Sequence, residues 1–212
     1  MSVSTNPRLT VLDRDLSHVV AQRLRGEAVV ACDLETSGLD WRVNVIGTVQ
    51  LYAPSVGAVI IRVGDSRPAL LVDLLEDASV LKVFHHAPFD LSFLVHRWSM
   101  NPASIRCTKI ASKLLRPDAP PGEHSLASLL RSHLDVTLAK GAVRTSEWTA
   151  TSLTDEQLQY AANDVRYLLS LFDILDYSLR RDSRGQLYDR CCDFLPAQAV
   201  LETGGYPDVF AY

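Results

Sequence analysis

The chain has 212 residues, enough for one domain with a full-sized core, and its 47% apolar and 22% charged residues are ordinary for a globular protein. A net charge of −4 excludes a duplex-coating protein with a broad basic surface; a small or single-stranded anionic substrate met by a local group of Lys and Arg stays open. Four cysteines (Cys32, Cys107, Cys191 and Cys192) form no C-x-x-C pair, which argues against structural zinc and for reduced, mostly buried thiols.

In chain order, the polar opening MSVSTNPRLTVLDRDLS, broken by Pro7, has no apolar core of signal-peptide length, and no run approaches the ~18 apolar residues of a membrane span. A cytoplasmic protein with no membrane partner is expected. Residues 14–25 predict a short amphipathic helix, and EAVVACDLE, β-branched up to its acidic end, a buried strand. VNVIGTVQLYA and GAVIIRV predict an antiparallel hairpin continuing the sheet. A helix over 67–77, a fourth strand at VLKVFHH and a helix opening at Pro88 follow. Beyond residue 100 the pattern is mainly helical. CTKIASKLLR and SLASLLRSHL predict amphipathic helices on either side of the Pro/Gly-rich loop RPDAPPGEH. After the polar stretch AKGAVRTSEWTATS, Thr154 and Gln157 form a capping box that starts one long helix, QLQYAANDVRYLLSLFDILDYSL. A short helix from Gly185 and the tail GGYPDVFAY close the chain. Strands first and helices later predict one α/β domain over 1–212, its core at about 26–182 and its C-terminal helix and tail at 185–212.

Three clusters carry chemistry. Asp33-Leu34-Glu35 ends the first predicted strand, and residues two apart on a strand share a face. Two carboxylates on one face of a buried strand repel each other, and a divalent cation with a taste for oxygen removes that conflict. Gly38 permits a tight turn just beyond. The second cluster is His85-His86-Ala87-Pro88-Phe89-Asp90, where Asp90 falls in the first turn of a helix, a place that favours negative charge. The third is Tyr160-Ala161-Ala162-Asn163-Asp164; a spacing of four puts Tyr160 and Asp164 on one helical face, and the alanines permit close approach to the sheet. Neither a G-x-x-x-x-G-K-[ST] loop nor a G-x-G-x-x-G turn follows a predicted strand, and there is no G-x-S-x-G elbow.

In this order the three clusters resemble the DEDD exonuclease superfamily, and the tyrosine four residues before the last aspartate resembles its DEDDy branch, which includes RNase D. SEWTATSLTDEQLQYAANDVRYL is similar to the RNase D form of the third motif, and the likeness runs from about Val29 to Leu175. CTKIASKLL, SLTDEQLQYAANDV and CCDFLPAQAVLETGGYPDVFAY resemble nanoRNase C, a family of short RNase D relatives without the helical HRDC domains. The resemblance implies an RNase H-like α/β fold, a mixed central sheet flanked by helices. It implies 3′→5′ hydrolysis of short oligoribonucleotides, dinucleotides above all, to 5′-mononucleotides, and a homo-oligomeric, octameric ring. The alternatives are an RNase D-like exonuclease on longer RNA or single-stranded DNA, and a catalytically inactive RNase H-like binding module.

The mechanism expected on that basis uses two divalent cations, Mg²⁺ or Mn²⁺, about 4 Å apart. Asp33 bridges them, Glu35 and Asp164 complete the ion that serves the attacking water, and Asp90 supports the second through water. Tyr160 orients the nucleophile. Substrate contacts stay open between two readings each. Leu39 either wedges against a terminal base or packs in the core. His85 and His86 either line the cleft or cap the strand. Lys109, Lys113 and Arg116 share a helix face that either draws phosphate or is simply solvated. His124 before a helix start, and Lys140 and Arg144 around Gly141, are candidates for a 5′-phosphate. Arg166 shares the helix of the third cluster and either serves the site or only makes a surface ion pair, and Tyr206, Phe210 and Tyr212 pack either on their own domain or on a neighbouring subunit.

Overall fold

The computed structural model describes residues 9–138, 146–206 and 208–211. Its strands are β1 (Leu9–Asp13), β2 (Val29–Thr36), β3 (Ile46–Ala53), β4 (Gly57–Arg62), β5 (Leu81–Phe84) and β6 (Ile105–Cys107). Its helices are α1 (His18–Arg25), α2 (Ala69–Glu76), α3 (Ala87–Trp98), α4 (Thr108–Leu115), α5 (Leu126–Leu134), α6 (Asp155–Arg166), α7 (Leu168–Arg181) and α8 (Gly185–Thr203). The strands form one sheet in the order β1-β4-β3-β2-β5-β6. β3 runs antiparallel to β2 and β4, while β1–β4, β2–β5 and β5–β6 pair in parallel.

The central strands are buried along most of their length, which is why they read as nearly continuous apolar runs. Val30, Leu51, Ile61, Leu74, Phe84, Leu94 and Leu171 lie in the main core. A smaller group, Ala58, Ile60, Trp148, Ala161 and Ala162, sits where α6 lies against β3 and β4. Gly57 takes a left-handed φ of 90° at the hairpin turn, a conformation costly for a side chain.

Four features depart from the sequence-based expectation. β1, LTVLD, is not expected as a strand because it lies within an opening that reads as polar as a whole; its backbone pairs with the edge of β4 from Leu9↔Ala58 to Asp13↔Arg62. Ile105–Cys107 is a short edge strand with no counterpart in the sequence reading, leading into α4, whose helix is expected from Cys107, and the buried Tyr188 hydroxyl fixes its end by accepting from Cys107 N at 3.1 Å. The long helix breaks at Tyr167 (φ −99°, ψ −4°), since α6 must follow the sheet while α7 turns to pack on α4 and α5. The last helix has 19 residues, with Pro196 inside it, and buries Tyr188, Cys192, Leu195 and Ala199 against α3 and β6, so the core continues past residue 182. Cys32, Cys107 and Cys192 are buried free thiols, as expected, and Cys191 is half-buried.

Candidate active site

The site is built on the middle strands. Asp33 stands opposite Gln50 and Glu35 opposite Thr48 across β2 and β3, so these four side chains share one face. Immediately after Glu35 the register jumps from Thr48 to Ile46, a bulge that skips Gly47. A Cβ on Gly47 would lie 2.4 Å from the Trp148 carbonyl oxygen; glycine is needed there for the chain around Trp148 to cross the strand. Gly38, by contrast, has no left-handed φ. Its missing side chain makes room for Asn44, whose Oδ1 accepts from Asp40 N at 3.0 Å.

Two helices bring the remaining groups. Pro88 and Asp90 occupy the first turn of α3, and Asp90 is only 3% exposed. Its carboxylate and that of Asp33 are both held down by the Leu34 backbone N–H, so the first turn of α3 meets the end of β2 at this point. α6 starts at the expected capping box. Thr154 Oγ1 accepts from Gln157 N at 3.2 Å and Gln157 Oε1 from Thr154 N at 2.9 Å. Gln157 Nε2 then donates to Ser146 Oγ and the Glu147 carbonyl, tying the segment before α6 to the helix. That tie seats the Trp148 ring 6.0 Å from the Tyr160 ring. One turn later Tyr160 hydrogen-bonds Asp164.

One ligand atom each from Asp33, Glu35 and Asp164 lies within 4.8 Å of the others, the one such metal-capable group among the described residues. Asp90 adjoins it, exerting the strongest repulsion of any neighbouring charge on Asp33. Burial, then the charges of Asp90, Asp164 and Glu35, push the Asp33 carboxyl well above the usual carboxylate range. Burial likewise raises Asp90 to about 8 and Asp164 to about 7, the latter opposed by the Tyr160 hydrogen bond. Crowded carboxyls that resist ionisation together are the donor set a hard divalent cation relieves.

Beside the acidic centre, at the start of α3 and along α4, lies a rim of basic residue types. His86 is exposed at the N-cap of α3, and burial, then the charges of Lys109 and Lys113, lower its pKa. His85 is turned inward, its Nδ1 2.9 Å from Thr108 Oγ1, and burial pushes its pKa down to about 3. His124 is only 3% exposed and its Nδ1 lies 2.8 Å from Ser112 Oγ, so its ring faces the interior instead of a helix-start phosphate site. Arg116 pairs with Glu123. Arg166 has no ion pair among the described residues and its Nε is buried without a partner. Lys140, Arg144 and Tyr212 lie outside the described residues. Leu39 is 85% exposed, which removes the core-packing reading. Its loop is anchored by Trp41, whose ring lies 4.8 Å from that of His96 and whose Nε1 donates to Glu202 Oε1 at 3.1 Å. Tyr206 and Phe210 are exposed, and Phe210 leans edge-on against Phe194 of α8.

Thr48, Gln50, Gly47 and Trp148 were not singled out from sequence. The available signal was a glutamine inside an apolar strand, which needs a partner once buried.

Residues 9–180 match the model of a 3′-5′ exonuclease family. The chain belongs to that family. It is 32% identical over 174 residues to Ribonuclease D of Haemophilus influenzae, covering 81% of this chain and 42% of that one. The chain thus spans less than half the length of the curated relatives it matches first. Among solved structures it is similar to Brucella melitensis NrnC with bound Mg²⁺ (34% identity, TM-score 0.86, 96% of this chain and 98% of that one). It is similar, too, to the same protein bound to pGG (34%, 0.87, 98% and 100%). The six-stranded mixed sheet is the RNase H-like α/β fold of these exonucleases. No helix among the described residues is long and apolar enough to cross a membrane.

Proposed function

We propose that this chain is a metal-dependent 3′→5′ exoribonuclease that hydrolyses very short oligoribonucleotides, dinucleotides above all, to 5′-mononucleotides. The observation that carries this reading is the convergence of Asp33, Glu35 and Asp164 within 4.8 Å, with Asp90 against Asp33 and Tyr160 on Asp164. The likeness to NrnC over nearly all of both chains, a protein solved with Mg²⁺ and with pGG, supports the substrate class and the metal.

Asp33, central among the carboxylates, would hold both of two divalent cations, Mg²⁺ or Mn²⁺. Glu35 and Asp164 would hold the one on the nucleophile's side, and Asp90 would support the other. Bound there, such cations supply a nucleophile near neutral pH and offset charge on the leaving oxygen. Tyr160 is a phenol of reference pKa ~10, suited to orienting the nucleophile rather than deprotonating it. Lys109 and Lys113 offer positive charge to the substrate phosphates, and the His86 imidazole, its pKa lowered, offers a neutral N–H donor. Leu39, exposed four residues beyond Glu35, offers an apolar surface to a terminal base.

The test is a digestion series with 5′-labelled RNAs from the dinucleotide to about ten nucleotides in Mg²⁺ and Mn²⁺. Preference for the dinucleotide supports the proposal; equal rates at every length favour a general RNase D-like exonuclease. Hydrolysis by Asp33→Ala at the wild-type rate would refute the site. The exposed apolar side chains of Leu187, Phe194 and Val200 on α8 and of Phe210 in the tail support self-association. A clean monomer by light scattering at micromolar concentration would reject it.

A further inference from the structure

Gln50 is fully buried in the middle of β3, and its Oε1 has no hydrogen-bond partner. Its Nε2 donates to Thr48 Oγ1 at 2.5 Å, and Thr48 is fully buried too. Both belong to the face of the carboxylates, Gln50 opposite Asp33 and Thr48 opposite Glu35. Side chains so paired have Cβ atoms roughly 5 Å apart. The amide, leaning from Gln50 towards Thr48, therefore runs alongside the Asp33–Glu35 pair. On its other side Gln50 pairs with Ile60, which has no polar atom in its side chain.

A buried acceptor left without a partner is costly, because it has given up its hydrogen bonds to water. Turning the amide by 180° about its last torsion keeps the same space and removes that cost. The Thr48 hydroxyl then donates to Oε1, and both Nε2 hydrogens are released. The acceptor-only groups across the strand are the carboxylates of Asp33, opposite Gln50 itself, and of Glu35, opposite Thr48.

We propose that Gln50 is a positioning residue for the metal-binding carboxylates: oriented by Thr48, its amide donates to Asp33 and fixes that carboxylate for cation binding. The proposal rests on the metal-site reading above. Groups that hydrogen-bond a metal ligand fix its orientation, and their loss weakens metal affinity or activity about 10–100-fold.

The experiment compares wild type, Gln50→Leu and Thr48→Val, each stripped of metal and then titrated with Mn²⁺. Thermal stabilisation is followed without substrate, and dinucleotide hydrolysis in parallel. For Gln50→Leu the expected result is a metal-free melting temperature equal to wild type or higher, with a half-saturating Mn²⁺ concentration raised about 10–100-fold. Hydrolysis recovers at high Mn²⁺, which simple misfolding would not allow. Thr48→Val moves the same midpoint in the same direction by less, and decides the matter should Gln50→Leu not fold. An unchanged Mn²⁺ midpoint in the folded variants overturns the proposal and leaves the metal site standing. Absence of any Mn²⁺ response in wild type overturns both.

Discussion

The acidic centre and the rim beside it are built differently. The centre takes its groups from regular elements: Asp33 and Glu35 from a buried strand, Asp90 from the first turn of a helix, Tyr160 and Asp164 from successive turns of another. Each is held by backbone geometry or by a cap. The rim of His86, Lys109, Lys113 and Leu39 lies at helix starts, along an outer helix face and on a loop, and most of it is open to solvent. On the proposed reading, the contrast separates two properties: the capacity for hydrolysis would reside in the rigid sheet and its helices, and the choice of substrate at the edge, where side chains can change without disturbing the core.

The sharpest way to break that contrast is at the centre. Asp33→Asn or Asp164→Asn is expected to lower dinucleotide hydrolysis by about 10³-fold or more, because each would remove a proposed cation ligand. The same changes are expected to leave the metal-free melting temperature equal or higher, since they delete a buried repulsion. Steady-state kinetics and a melting curve check both. Next comes Tyr160→Phe, expected to lower kcat by about 10²-fold with the Mn²⁺ midpoint nearly unchanged, because the phenol is proposed to orient the nucleophile and not to bind metal.

The third prediction concerns pH. In the metal-free protein the Asp33, Asp90 and Asp164 carboxyls are raised, so the folded state keeps protons that the unfolded chain releases above about pH 4. Stability is therefore fullest below the ordinary carboxylate range. It falls as pH climbs through about 7 for Asp164 and about 8 for Asp90. Metal-free melting temperature should drop between pH 5 and 8, on a scale of roughly 2–4 °C per kcal/mol for a chain of this size. Saturating Mn²⁺ should abolish the drop. A metal-free melting temperature that rises across this range would contradict the crowding of the carboxyls.

The smallest effects belong to the rim. Lys109→Ala with Lys113→Ala is expected to raise KM about 10-fold, with kcat little changed and a shallower salt dependence. Leu39→Ala should cost less still and leave metal binding untouched. A large kcat loss from either would mean that rim and centre are not separable.

The same contrast governs how much was legible in the sequence. The centre could be read because strand and helix periods are fixed: two residues apart on β2, four apart on α6, a proline marking the start of α3. β1 and β6 could not, because an edge strand is defined by the backbone it pairs with, not by its own pattern. The break at Tyr167 was hidden because both halves keep helical spacing and only packing against different neighbours forces the turn. At the rim the residue types were visible but their directions were not. His85 and His124 carry the right chemistry for a phosphate, yet Thr108 and Ser112 turn their rings inward. Gln50 was passed over for the opposite reason, since an apolar run conceals a polar residue whose partner lies on another strand.

The most direct test is the anomalous signal of Mn²⁺ in crystals of the metal-loaded protein. Peaks bounded by the carboxylates of Asp33, Glu35 and Asp164, with Asp90 alongside, are the predicted result. Ordered Mn²⁺ elsewhere, with these carboxylates free of metal in an enzyme that still cleaves dinucleotides, would contradict it.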